Sequence, residues 1–297
     1  LQDPAEPNQV NLTEFPTYDP GRFADGTTVE IRNEAMPTGR IRSALFDFDG
    51  TVSLIRTGWQ DIMVPMMIEI LREAGDEQPE EALDLYIREY VDRLTGKQTI
   101  FQMMQLAEEV EKRGGKALDP LEYKQMYNDR LMERIESRRD ALLSGDTAPD
   151  DLMMPRTREL LEGFRDRGIT LYLASGTDFV YVDEEAKMLG VDGLFDGGIY
   201  AALDRVEDFS KEMVIRQMFE EHGLQGPELV SFGDGYVEIL NTKDAGGIPV
   251  GVASDEDGRV EVNEWKRNRL IQAGADIIIP GYQHQETLFA TLFGEGG

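Results

Sequence analysis

Two aspartates one residue apart stand in Asp47-Phe48-Asp49-Gly50-Thr51, directly after the run Arg40-Ile41-Arg42-Ser43-Ala44-Leu45-Phe46. The run reads as a strand and the Gly-Thr pair as the turn that ends it. Side chains alternate along extended backbone, so both carboxylates project to one side of the strand end. Two acids so placed can divide labour: one attacks an electrophile while the other gives and takes protons. An ordinary acidic turn is the plain structural alternative, and the strand-end position speaks for chemistry.

The elements that must hold this pair fall into three stretches. Residues 1–40 are rich in Pro, Asn, Asp, Gly and Thr and read as an N-terminal extension with one short strand, Thr28-Val29-Glu30-Ile31. Residues 58–154 read as a helical module. Trp59, Ile62, Met63, Met66, Met67 and Ile70 fall at helical spacing, as do Leu83, Ile87, Tyr90, Val91 and Leu94, and two further helices are expected near 100–110 and 121–135. Pro79 and Pro120 mark helix starts; Gly75, Gly96 and Gly114-Gly115 mark stops.

After residue 155 helices over 156–167, 179–189, 211–222, 237–245 and 267–272 alternate with strands over 169–174, 229–232, 249–252 and 277–279. This alternation argues for an α/β fold: a doubly wound parallel sheet, covered on both faces, built from 41–57 and 155–297, with the all-α module inserted over 58–154. Ligands of such sheets bind beyond the carboxyl ends of the strands, where Asp47 and Asp49 stand.

Composition removes several classes of function. A chain of 297 residues, 40% hydrophobic, holds core enough for one or two domains. No apolar run approaches the roughly 20 residues that cross a bilayer. The formal charge of −28, from 58 acids against 30 bases, repels nucleic acid and anionic membranes, so neither is an expected partner. An anionic substrate would need a local positive focus or a metal ion against that field. The absence of cysteine excludes disulfides, thiolate metal sites and Cys nucleophiles. Leu1-Gln2-Asp3-Pro4 has neither the basic region nor the apolar core of a secretory signal, and a cytoplasmic location is the expectation.

Over residues 41 to about 282 the sequence resembles the haloacid dehalogenase superfamily, most of whose members are aspartate-based phosphatases. Asp47-Phe48-Asp49-Gly50-Thr51 looks like the first of its four motifs. Ser175-Gly176 after Leu173-Ala174 fits the second, a Ser or Thr at the end of the next core strand; Lys211 fits the third, a Lys opening a helix. Phe232-Gly233-Asp234-Gly235-Tyr236-Val237-Glu238 fits the fourth, with Glu where many relatives have Asp. The helical module lies between the first and second motifs, where many members insert a cap.

A carboxylate attacking a phosphate meets like-charge repulsion, so a cation must sit between them. Hard oxygen donors suit Mg²⁺, and Asp47, Asp234 and Glu238 supply them; two His and no Cys count against zinc. The resemblance implies that Asp49 offers its backbone carbonyl to the metal and its side chain as acid and base. It also implies that Ser175 and the Gly176 amide bond phosphoryl oxygens while Lys211 neutralises their charge. Lys97, in the break Thr95-Gly96-Lys97 between two cap helices, and Arg56, on the hinge side, are further candidates for substrate contact. His222 and His284 read as structural.

The expected activity is therefore Mg²⁺-dependent hydrolysis of a small phosphorylated metabolite, a sugar phosphate or a phosphoglycolate-like acid, through an aspartyl phosphate on Asp47. A sugar-phosphate mutase of the same superfamily and an inactive phosphate-binding protein are the alternatives. The dehalogenases themselves lack the second Asp of the first motif, and phosphonate-cleaving members usually have Ala at the position of Asp49.

Overall fold

The computed structural model describes residues 16–295 except 25, 204–207, 257–258 and 260. Its strands in chain order are β1 (Arg22–Phe23), β2 (Glu30–Ile31), β3 (Ser43–Phe46), β4 (Thr170–Asp178), β5 (Gly198–Ala202), β6 (Leu229–Gly233), β7 (Ile248–Val252) and β8 (Ile277–Ile279). They form one sheet in the order β1-β2-β8-β7-β6-β3-β4-β5. From β8 to β5 every pairing is parallel, whereas β1 and β2 run antiparallel at one edge. Every residue of β3, β6, β7 and β8 is buried, as expected of parallel strands covered on both faces. The chain moves outward from β3 to β5, then returns to β6 on the other side of β3. That reversal opens a crevice at the carboxyl end of β3, where Asp47 stands.

The helices of the core are α5 (Thr157–Asp166), α6 (Phe179–Met188), α7 (Lys211–His222), α8 (Tyr236–Asp244), α9 (Glu264–Gln272) and α10 (Gln285–Phe293). Under the sheet Phe46 stacks on Phe232 at 4.7 Å between ring centroids and meets Phe164 of α5 edge-on at 6.1 Å. Phe289 of α10 closes this aromatic cluster against Phe164 at 4.9 Å.

Four helices make the inserted cap: α1 (Gln60–Glu73), α2 (Glu80–Leu94), α3 (Thr99–Lys112) and α4 (Pro120–Ser144). Each buries the apolar stripe that its spacing dictates, such as Met63, Met66, Met67 and Leu71 on α1 and Leu83, Ile87 and Val91 on α2. At the start of α4 Asp119 and Glu122 form a reciprocal capping box with Pro120 in the first turn, and Gly145 ends the helix at φ 80°. Among the described residues no helix is long and apolar enough to cross a membrane.

Some elements differ from the sequence expectation. Helix α4 continues past 135 to Ser144, because Arg139 and Leu142 are buried by the core beneath it. Strand β5 was not expected; it is a short edge strand, Gly198-Ile199-Tyr200-Ala201-Ala202, whose apolar run was passed over, and its first three residues are only partly buried. Helix α10 was also not expected, although Leu288, Phe289 and Leu292 give it a buried face. In residues 28–31 the strand narrows to Glu30–Ile31, and it lengthens the sheet by pairing with β8.

Phe46 is fully buried and touches three aromatic rings, so Phe46→Ala should leave a cavity that close packing cannot refill. A loss of about 3–5 kcal/mol is expected. Urea unfolding should report it as a lower midpoint with an unchanged slope.

Candidate active site

Asp47 follows β3 directly, its amide donating to the Phe232 carbonyl of β6 at 2.9 Å. Its Oδ1 accepts from the Phe48 amide at 2.8 Å, and its Oδ2 lies 2.9 Å from Lys211 Nζ. Lys211 is the first residue of α7, whose start is fixed by the Ser210 hydroxyl accepting from the Met213 amide. The same ammonium donates to Glu238 Oε2 at 2.8 Å. Glu238 in turn sits at the third position of α8, where Oε1 accepts from the Gly235 amide at 2.8 Å. Asp47, Lys211 and Glu238 therefore form one buried chain across three elements.

Burial pushes the Asp47 carboxyl up; Lys211 pulls it down, and the nearby charges of Glu238 and Asp234 add to the rise. For Lys211 burial works against the charge, but Asp47 and Glu238 outweigh it and push the pKa up. Oxygens of Asp47, Asp234 and Glu238 lie within 4.8 Å of one another, a spacing that could hold a metal ion. The donors are all hard carboxylate oxygens, the set that takes a divalent cation such as Mg²⁺ or Ca²⁺. Gly50, at φ 74°, lets the first loop pass close by: a Cβ there would fall 2.5 Å from Asp234 Oδ2.

Asp49 points into the same crevice. Its Oδ2 accepts from the Thr177 hydroxyl at 2.8 Å, while Oδ1 is buried with no hydrogen-bond partner. Burial pushes this carboxyl up to about 6 against the pull of Arg56, and Glu185 adds to the rise. A carboxyl in that range can carry a proton and release it near neutral pH. Arg56 lies 3.9 Å from Asp49 Oδ1 and makes a two-pronged pair with Glu185 of α6, at 3.0 and 2.8 Å. Glu185 is wholly buried and also lies 3.3 Å from Arg139 of α4.

One cavity brings together Asp47, Asp49, Arg56, Lys97, Ser175, Gly176, Lys211 and Asp234. Glu238 is the one sequence candidate that does not line it; it stands behind Lys211 and the Gly235 amide. The cap reaches the core through the loop between α2 and α3. A Cβ on Gly176 would meet the Lys97 carbonyl at 2.7 Å, so only glycine admits that approach. Beside it Gln98 donates to the Phe209 carbonyl at 2.7 Å, next to the start of α7. The Lys97 ammonium lies 5.7 Å from the ring centre of Phe101. Trp59, Met63, Thr99, Gln102 and Tyr127 form the cap side of the cavity.

Several site residues carried no sequence signal. Thr177 is an unremarked Thr two residues after Ser175, and the buried Glu185 looks like any helical acid. Lys124 of the cap pairs with Asp178 at the cavity wall, and Lys266 of α9 donates to Asp234 at 2.8 Å. These contacts join residues 32 to 129 positions apart, beyond the reach of any local pattern. His222 and His284 do not line the cavity.

A family model described as haloacid dehalogenase-like hydrolase matches residues 41–246. The chain belongs to that family. Solved structures agree on the fold. A predicted phosphoglycolate phosphatase from Haemophilus somnus superposes with a TM-score of 0.53 at 17% identity, over 84% of this chain and 98% of that one. A predicted phosphatase from Clostridium acetobutylicum gives 0.54 at 16% identity, over 84% and 98%. CbbY from Rhodobacter sphaeroides, in complex with phosphate, gives 0.51 at 18% identity, over 82% and 96%. No curated protein sequence matches the chain significantly. As a haloacid dehalogenase-like hydrolase, the chain carries the helical cap between its first two motifs, as its insertion point implied.

Arg56→Met should strip the fully buried Glu185 of its two-pronged partner and leave only the longer contact to Arg139. The expected loss is about 3–5 kcal/mol, the cost of stranding a buried charge. The pair Arg56→Met with Glu185→Leu should regain most of it, as a double-mutant cycle by chemical denaturation would reveal.

Proposed function

We propose that this haloacid dehalogenase-like hydrolase cleaves the phosphate monoester of a small metabolite, with Asp47 as nucleophile. The observation that carries the reading is the position of Asp47 at the head of the cavity. A buried lysine lies at 2.9 Å, and Asp47 makes with Asp234 and Glu238 a cluster of three acids suited to a cation. A lone carboxylate would repel the phosphate it attacks; flanked by positive charge it can approach. Asp47 and Asp234 would hold a Mg²⁺, with Glu238 behind them, and the ion would neutralise charge on the transferring phosphoryl group.

In the first half-reaction the Asp47 carboxylate displaces the metabolite oxygen, and Asp49 gives that oxygen its proton. In the second, Asp49 takes a proton from water as water attacks the aspartyl phosphate. The Thr177 hydroxyl on Asp49 Oδ2 orients this carboxyl, whose other oxygen is buried on the side of Arg56. Ser175 and the Gly176 amide would bind phosphoryl oxygens, and Lys211 would offset their charge. The cap, pressed against Gly176, encloses the site and controls which water enters. The free space beneath the cap is about 100 Å³, on the scale of a small substrate.

Phosphate release from a panel of about a hundred phosphorylated metabolites is the direct test. A substrate turned over with one phosphate freed per ester cleaved supports hydrolysis, and an isomerised ester without free phosphate would assign a mutase instead. Asp47→Asn should lower turnover at least ~10³-fold, as loss of a covalent nucleophile does. A tenth or more of wild-type rate in that variant would overturn the mechanism. A chelator should abolish the activity and Mg²⁺ should restore it, whereas Ca²⁺, with its looser coordination, should inhibit.

A further inference from the structure

Lys266 is the third residue of α9, and its amide is held by the Asn263 side chain that caps the helix, at 3.0 Å. Its ammonium donates to Asp234 Oδ2 at 2.8 Å and to Glu256 Oε1 at 2.5 Å. All three side chains are largely buried, at 15% exposure for Lys266, 13% for Asp234 and 20% for Glu256. Glu256 comes from the loop after β7, and its backbone adopts a left-handed φ of 37° that a non-glycine residue takes up only at a cost. The Ser254 hydroxyl, accepting from the Glu256 amide at 3.0 Å, anchors that turn. An exposed ion pair would need neither the burial nor the unfavourable turn.

We propose that Lys266 is a positioning residue for the metal: it fixes the Asp234 carboxylate so that its remaining oxygen meets the cation, while Glu256 neutralises Lys266. The inference rests on the reading above that Asp47 and Asp234 hold Mg²⁺. Carboxylates that ligate metals are themselves held by hydrogen bonds, and removing such a partner weakens metal binding by about 10–100-fold. A bare ammonium beside the ligand would also repel a divalent cation. Glu256 removes that objection, because the Lys266–Glu256 pair carries no net charge and acts on Asp234 as a fixed donor. The arrangement ties the fourth motif, after β6, to two elements that follow β7 and lie outside every motif.

Isothermal titration of the 297-residue chain with MgCl₂ tests the idea without recourse to turnover. Lys266→Met should weaken Mg²⁺ binding by about 10–100-fold while its thermal unfolding in chelator stays cooperative. Glu256→Gln should weaken it too, by a smaller factor, because the ammonium is then unbalanced. Binding by Lys266→Met as tight as wild type, or tighter, would overturn the proposal. If Lys266→Met does not fold, unchanged or tighter binding by Glu256→Gln overturns it instead. Failure of the wild-type protein to bind Mg²⁺ would overturn the metal reading itself, a result distinct from an unchanged variant beside a binding wild type.

Discussion

Like charges crowd the carboxyl end of β3, and most of what surrounds them answers that repulsion. Asp47, Asp49 and Asp234 meet within one crevice with Glu238 just behind them, in a chain that already carries a net charge of −28. Such a cluster persists only if buried cations lie against it. Lys211 serves Asp47 and Glu238, Arg56 serves Asp49, and Lys266 serves Asp234. Each cation arrives on a different element: the start of α7, the connection into the cap, and the first turn of α9. The sheet order makes this possible, because the reversal between β5 and β6 brings loops from both sides of β3 to one place.

The same electrostatics ties cap to core. Arg56 lies in the connection that leads into α1 and pairs with Glu185 on core helix α6, which Arg139 of cap helix α4 also approaches. Arg138, one residue earlier, donates to the Ile55 and Thr57 carbonyls on either side of Arg56. One end of the cap is thus fastened beside Asp49 by buried charge. The other end meets the core through the Lys97 carbonyl over Gly176, the Gln98 side-chain amide on the Phe209 carbonyl and the less buried Lys124–Asp178 pair. A motion of the cap would release the second set of contacts more cheaply than the first, since stranding Glu185 leaves a charge in the interior.

Local pattern made much of this legible. The chain itself determines the helical stripes of α1 to α4 and the Pro and Gly residues that bound them. It also determines the solid apolar runs of β3, β6, β7 and β8, and the strand-end positions of Asp47 and Asp234; Ser175, expected at a strand end, lies within β4, which runs on to Asp178. These features depend on residues within a few positions of one another, where period and turn chemistry act. The weak local signals were lost: β5 lies half-exposed at a sheet edge, and α10 is a short helix stabilised by packing against Phe164.

Where each of these ionisable side chains points was decided by the tertiary structure alone. Glu238 has the spacing of a ligand and also of a helix-start acid, and in the fold its two oxygens face Lys211 and the Gly235 amide, away from the cavity. Arg56 reads as a hinge cation open to substrate, yet Glu185, 129 residues away, claims both prongs of its guanidinium. Lys266 has no motif at all. The physical reason is common to all three: burial and a long-range partner set the charge and orientation of an ionisable group, and a linear sequence specifies neither until the chain has folded.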